Sequence, residues 1–315
     1  MRSAQALSSF FHPMKRFSAR LVLMAACALS LASASHARDR AATVTILDGQ
    51  ATLIHAATRL VVREGAAVEP EDIVETAPAS ALTRLEFDGG ATLDLGPASR
   101  VMLRPSLAST GGSVLVYVLE GWAKLTLDKA REQGAVLLAS APVDVTGLSR
   151  DLVLHVKGNE AELFAESAPV MTQVMGKAGK PESVKVDKGA FLSRRGDGSV
   201  SVTPRPSPAF IQAVPRAFMD TLPSRLSLFK GKDTKLDAGP RLAYDDTQAW
   251  LNAEPRVRTH FLTRWKPLAQ DEAFRRALVA QMALHPEWHK VLFPPPPPGR
   301  KPNQNPVISS EASKP

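Results

Sequence analysis

Between Ala81 and Leu103, short runs of alternating apolar residues are cut by two glycine turns, a pattern that few architectures accept. Leu82, Leu85 and Phe87 lead into Asp88-Gly89-Gly90, Leu93 and Leu95 lead into Gly96-Pro97, and Val101 and Leu103 follow. In a strand successive side chains point to opposite faces, so this spacing buries one row and turns the other outward. Asp-Gly suits the first turn because a tight hairpin needs positive φ at its central residues. Three short strands fit here, with Asp88, Gly89, Gly90, Gly96 and Pro97 as structural turn residues. The stretch holds no nucleophile–base pair and no cluster of metal ligands. It points to an architecture, not to a reaction.

The same grammar runs from Ala42 to Thr203, with a turn signal about every ten residues. Thr43 to Leu47 ends at Asp48-Gly49 and is answered by Ala51 to Ile54. Val114 to Leu119 ends at Glu120-Gly121, and Trp122 to Leu127 alternates after it. Val143 and Val145 alternate up to Gly147, and Leu152 to Val156 and Ala161 to Phe164 flank Lys157-Gly158-Asn159-Glu160. Phe191-Leu192 and Val200 to Val202 flank Arg195-Gly196-Asp197-Gly198. Long helical periodicity is missing. The expected fold class is mainly β, a multi-stranded sandwich, barrel or β-solenoid-like module, followed by a small α-helical C-terminal region.

The order Val44-x-Ile46-x-x-Gly49-x-Ala51-x-Leu53, then Asp72-x-Val74-x-Thr76, then Ala81-x-Thr83-x-Leu85-x-Phe87-Asp88-Gly89-Gly90-x-x-Leu93-x-Leu95-Gly96-Pro97 resembles the FecR domain. That is the periplasmic domain of ferric-citrate-type sensor-regulators. Leu119-Glu120-Gly121-x-Ala123-x-Leu125 is similar to a later strand pair of the family, and Val143-x-Val145-Thr146-Gly147 to its next step. Gly121 and Gly147 therefore join the motif's turn residues. The chain departs from the pattern at Leu148, where the family has Thr. The resemblance covers residues 44–156, and the β domain (42–156) is expected to extend to 203. A full regulator carries a cytoplasmic sigma-factor-handling segment before its membrane helix, and the stretch before Leu21 is short for one. The resemblance thus implies a non-enzymatic protein–protein or envelope-interaction and signalling module, not anti-sigma activity.

Lys15-Arg16-Phe17-Ser18-Ala19-Arg20, an apolar run from Leu21 to Ala32, and small residues up to Ala37 form the three-part pattern of a secretory signal peptide. Residues 1–37 are expected to be removed after Ala37, giving a periplasmic protein with no stable membrane span. The alternative is an uncleaved helix anchoring a regulator, for which the apolar run is short. Cys27, the only cysteine, lies within the run. Met24-Ala25-Ala26-Cys27 comes near a lipidation box, but an ordinary apolar-region cysteine fits better. The mature chain would hold no disulfide, thiol chemistry or Cys-based metal site.

The net charge of +8 is unevenly placed. Residues 38–204 carry 18 basic against 21 acidic side chains, and residues 205–315 carry 17 against 10. The basic residues of the last third are spread without a run, so they read as a solvated face; nucleic-acid binding is not expected.

From residue 204 to 293 prolines interrupt short helical patterns. Phe210, Ile211, Val214, Phe218 and Leu222 recur at helical spacing, and Gly231 to Pro240 reads as a polar loop. Asp245 or Asp246 can cap a helix carrying Trp250-Leu251, Pro255 suits a first turn, and Asp271 can cap a helix with Phe274 and Leu278. Helices this short must pack on each other or on the β domain. Residues 294–315, opening with Pro294 to Pro298, read as a proline-rich linker and disordered tail.

Chemistry has few footholds. His285 and His289 stand four apart with Glu287 between, but Pro286 takes the place where a zinc-protease helix has its Glu. Asp72 and Asp88 sit near turns, and Asp88 with Asp94 would lie on the solvent face of a hairpin. Neither metal nor other cofactor is expected. Trp250, Trp265 and Trp288 each sit on a helix face beside Leu or Phe, so core packing is the favoured reading, with a partner surface as the alternative. Two functional classes follow: a module binding an envelope protein or cell-wall component, and, as an alternative, an envelope hydrolase that would bring His285, His289 or the turn carboxylates together.

Overall fold

The computed structural model describes residues 40–103, 114–127, 136–147, 150–177, 179–232 and 234–294. The expected leader with its cleavage at Ala37, Cys27, Leu148 and the tail from residue 295 lie outside the described residues. The fold is mainly β. The described strands are β1 (Ala42–Asp48), β2 (Ala51–His55), β3 (Thr58–Val61), β4 (Ala67–Val68), β5 (Ile73–Thr76), β6 (Leu82–Glu86), β7 (Thr92–Leu95), β8 (Arg100–Leu103) and β9 (Val114–Thr126). They continue as β10 (Val136–Ala139), β11 (Val143–Val145), β12 (Asp151–Lys157), β13 (Glu160–Ala165), β14 (Val170–Met175), β15 (Pro181–Val186), β16 (Phe191–Arg194), β17 (Val200–Thr203) and β18 (Asp237–Ala238). The helices are α1 (Pro208–Ala213), α2 (Tyr244–Leu251), α3 (Pro255–Arg258), α4 (Phe261–Arg264), α5 (Glu272–Ala280) and α6 (His289–Leu292), with short 3-10 turns between them.

The strands form two layers. The first runs β4-β1-β6-β7-β9-β12-β13-β16-β17, and the second β18-β3-β2-β5-β8-β9-β10-β11-β14-β15. Pairing is antiparallel except between β9 and β10. Strand β9 belongs to both layers: Val116–Val118 pair with β8, and from Gly121 onward it pairs with β7 and β12. The corner is Gly121, at φ +93°, where a Cβ would collide with the Ser99 backbone. Beyond it the chain lays down hairpins alternately, β10–β11, β12–β13, β14–β15 and β16–β17, a solenoid-like progression inside a sandwich. Val44, Leu85, Leu93 and Leu163 of the first layer meet Leu53, Val74, Val101 and Val174 of the second in one buried core. This is the row that period-two alternation turns inward.

The C-terminal third wraps this sandwich. Phe210 of α1 and Phe218 cover Leu82, Trp122, Val153 and Phe191 on the outer face of the first layer. The chain then rounds an edge, and β18 pairs with β3, so the segment read as a polar loop contains a two-residue strand. Helices α2 to α6 close over Ile54, Ile73, Met102 and Tyr117 on the outer face of the second layer. The helical spacing of Phe210 to Leu222 yields only the six residues of α1 and a 3-10 turn, because Pro215 cannot donate to a continuing helix. Asp271 caps α5 by accepting from Phe274 N–H at 3.0 Å. Asp246 sits inside α2 rather than before it, and accepts from Ala243 N–H at 2.8 Å. Among the described residues no helix is long and apolar enough to cross a membrane.

Candidate functional site

The motif residues are structural. Asp88, Gly89 and Gly90 turn the chain between β6 and β7, with Gly90 at φ +85°. Gly96 packs on Trp122 and Pro215, Pro97 follows it in the turn to β8, and Gly147 lies against Met171. Ser99 ties this corner together: its Oγ donates toward Gly96 O and accepts from Trp122 N–H at 2.8 Å. None of these residues lines the two grooves described below.

The reading of Trp250, Trp265 and Trp288 as a partner surface is corrected. All three are fully buried between the helices and the second layer. Two of the indoles are held from below: Trp250 Nε1 donates to Glu75 at 2.8 Å and Trp265 Nε1 to Ala56 O at 3.1 Å, whereas Trp288 Nε1 has no hydrogen-bond partner among the described residues. The solvent-face placement of Asp94 is corrected as well. Asp94 is 3% exposed and takes both Arg84 nitrogens, at 2.6 and 2.7 Å, beneath the strap of residues 208–229. Arg84 also donates to Leu222 O, Lys124 Nζ to Phe218 O, and Arg225 N–H to Glu86. Strand alternation marks these charges as outward-facing, and the strap then covers them, using them to satisfy its own backbone.

The groups that a hydrolase would need go to separate partners. His285 is buried and bonded to Tyr244 Oη at 2.7 Å; burial pulls its pKa down. His289 is exposed on α6 beside Phe293, Asp72 goes to His55, and Asp94 to Arg84.

Sequence reasoning missed a polar seam where α3 and α4 meet the loops of the second layer. His55 Nδ1 lies 2.7 Å from Asp72 Oδ1, and His260 Nε2 lies 2.5 Å from Glu71 Oε2. Arg264 donates to the carbonyls of Ile54, Ala56 and Glu71. A cavity of about 390 Å³ lies among them. Burial pushes the Asp72 carboxyl up, against the Glu69 N–H and His55, and burial pulls the Arg264 guanidinium down. Among the described residues no hydroxyl bonds His55 and no group of three ligands could hold a metal. The seam fastens the helices to the sandwich. Its partners lie far apart in sequence, so no local motif announces them.

An open groove of about 730 Å³ lies on the outer face of β12, β13, β16 and β17. Register aligns His155, Glu162, Ser193 and Ser201 in one row and Val153, Phe164, Phe191 and Thr203 in the next. His155 stacks on Trp122 with centroids 3.9 Å apart and meets Glu162 at 3.2 Å. Glu160 accepts from Gly196 N–H at 3.3 Å. Buried Arg194 closes the floor by donating to Met175 O and Asn159 O. By contrast Lys157, Arg195 and Arg205 are exposed and have no hydrogen-bonded or ion-paired side-chain partner among the described residues. The groove therefore offers the Ser193 and Ser201 hydroxyls beside His155 and Glu162 on a sheet face, with the exposed cations Lys157, Arg195 and Arg205 outnumbering the carboxylates Glu160 and Glu162 in its lining. That arrangement suits binding of an acidic surface, and it holds no nucleophile–base pair.

No family model matches the chain, and no curated protein matches it. Among solved structures, two crystal structures of a candidate anti-sigma factor from Parabacteroides distasonis are similar at 12% identity, with TM-scores of 0.36 and 0.37. Each match covers 45% of this chain, and the chain spans 64% and 65% of those proteins.

Proposed function

We propose that this protein is a non-enzymatic FecR-domain-type module that works in the periplasm as an interaction or signalling scaffold. The groove over β12, β13, β16 and β17 is the face that meets its partner. The motif order around Asp88–Pro97 supports the family reading, and the leader pattern ending at Ala37 supports the compartment. The observation that carries the functional reading is the groove itself. Elsewhere the buried charges hold the strap and helices in place, whereas Lys157 and Arg195 face solvent beside Ser193 and Ser201. The partner is an envelope protein or cell-wall component presenting acidic groups; nucleic acid is not among the partners proposed.

The test is capture from envelope fractions by the immobilised chain and by a Lys157→Glu/Arg195→Glu variant. Both positions are exposed, so folding should change by only about 0.5 kcal/mol. The wild-type chain should retain one component whose recovery falls with rising salt, and the variant should lose it. Equal recovery by both would remove the groove from the mechanism. Sequencing the N-terminus of the exported protein tests the compartment: a start at Arg38 is expected.

A further inference from the structure

The two layers end differently at their two sides. At one side the edge strands β4 and β18 have two residues each. At the other the edges are β15, with six residues, and β17, with four. An unpaired edge invites another strand unless it is guarded by proline or charge. Strand β15 has such guards in Pro181, Glu182 and Lys185. Residues 199–203, Ser-Val-Ser-Val-Thr, have none. Arg195 N–H donates to Ser199 O at 2.9 Å, which sets the phase of the β16–β17 ladder. Ser201 and Thr203 therefore bond inward to β16, while Val200 and Val202 turn their N–H and C=O groups to the open side. Val202 is 44% exposed at this edge.

The edge sequence is complementary to itself. Read outward from Ser201, Val200 mirrors Val202, Ser199 mirrors Thr203, Gly198 mirrors Pro204, and Asp197 mirrors Arg205. The last pair is of opposite charge. Asp197 is held toward its charged form by Ser199, and Arg205 has no ion-pair partner among the described residues. In an antiparallel pair about a two-fold axis at Ser201, the outward groups of Val200 meet those of Val202 in the second copy, and the reverse. This register also satisfies the ladder phase, because outward-facing residues oppose outward-facing residues.

We infer that β17 pairs with β17 of a second copy, in the register that sets Ser201 opposite Ser201, to form a two-fold dimer with a continuous first layer. The inference stands on the edge and does not depend on the groove's partner. Its consequence is that the groove rows of the two copies run on from Ser201 across the axis. Four residues give a small interface, so the dimer is weak and concentration-dependent.

Sedimentation velocity over a concentration series, with disulfide trapping, tests this. The wild-type chain should move toward twice the monomer mass, and Val202→Lys should stay monomeric with unchanged melting. Arg205→Asp should weaken association, and adding Asp197→Arg should restore it. In a Cys27→Ser background, Ser201→Cys should cross-link to itself on mild oxidation, because it sits in a close, non-hydrogen-bonded pair. Ser199→Cys, facing Thr203, should not. A chain that stays monomeric throughout, or a dimer indifferent to Val202→Lys with no Ser201→Cys link, overturns the inference. Loss of the captured envelope component in the groove variant with the dimer intact separates the two readings.

Discussion

Arg84 and Asp94 show what alternation can and cannot say about a side chain. Both positions fall on the outward row of a hairpin, and in a two-layer protein that row normally meets water. Here it meets the strap, and the pair lies buried with both guanidinium–carboxylate contacts formed. Removing one member leaves a buried charge unpaired. Asp94→Ala should therefore cost about 3–5 kcal/mol in denaturant unfolding, and Arg84→Met/Asp94→Leu should recover most of it. Glu86 gives a pH signature at the same place. Burial raises its pKa, but bonds from Arg225 N–H, Ser224 and Thr45, with Arg84 nearby, bring it below the ordinary value. A depressed carboxyl stabilises the fold above its unfolded pKa and loses that contribution as pH falls through the folded one. Glu86→Gln should accordingly flatten the acid limb of the stability curve below about pH 4.

Many of the strands were readable because they carry their own period and their own turn, as on either side of Asp88-Gly89-Gly90, whereas β4 and β14 were not anticipated. The helices were less so. Their positions follow from caps such as Asp271, but the side of the sandwich each one covers depends on contacts such as His260–Glu71 and Arg264–Ile54 that span most of the chain. The tryptophans illustrate the same point: a short amphipathic helix reveals an apolar face, which favours packing, without revealing what lies under it, so the partner-surface alternative stayed open until the contacts closed it. Trp265, stacked on Phe261 with centroids 4.0 Å apart, anchors this cap, and Trp265→Ala should cost about 3–5 kcal/mol. His285 gives the cap its own pH response. Burial holds its pKa below the ordinary histidine value, so stability is complete above about pH 6.5 and falls as acid forces a buried ring to charge. His285→Gln should remove that slope from a series of melting curves.

The described residues from 40 to 294 form a sandwich whose two outer faces are covered by the C-terminal third, from Pro208 on the first layer to Leu292 on the second. The cover reaches Val153, Phe164 and Phe191 on the outer face of β12, β13 and β16 and stops short of the row His155, Glu162, Ser193 and Ser201, and this is where the groove lies. The candidate site was not legible beforehand because its rows are set by pairing between strands, and its openness is set by where the strap ends. The proposed mode of action is that this uncovered face holds a partner. A photo-crosslinking residue at Ser193, inside the groove, compared with one at exposed Arg276 on α5, measures that in living cells. One envelope component should attach at Ser193 and not at Arg276, and Lys157→Glu/Arg195→Glu should abolish the adduct. Adducts with the chain itself alone, the same adducts at both positions, or none at Ser193 would contradict it.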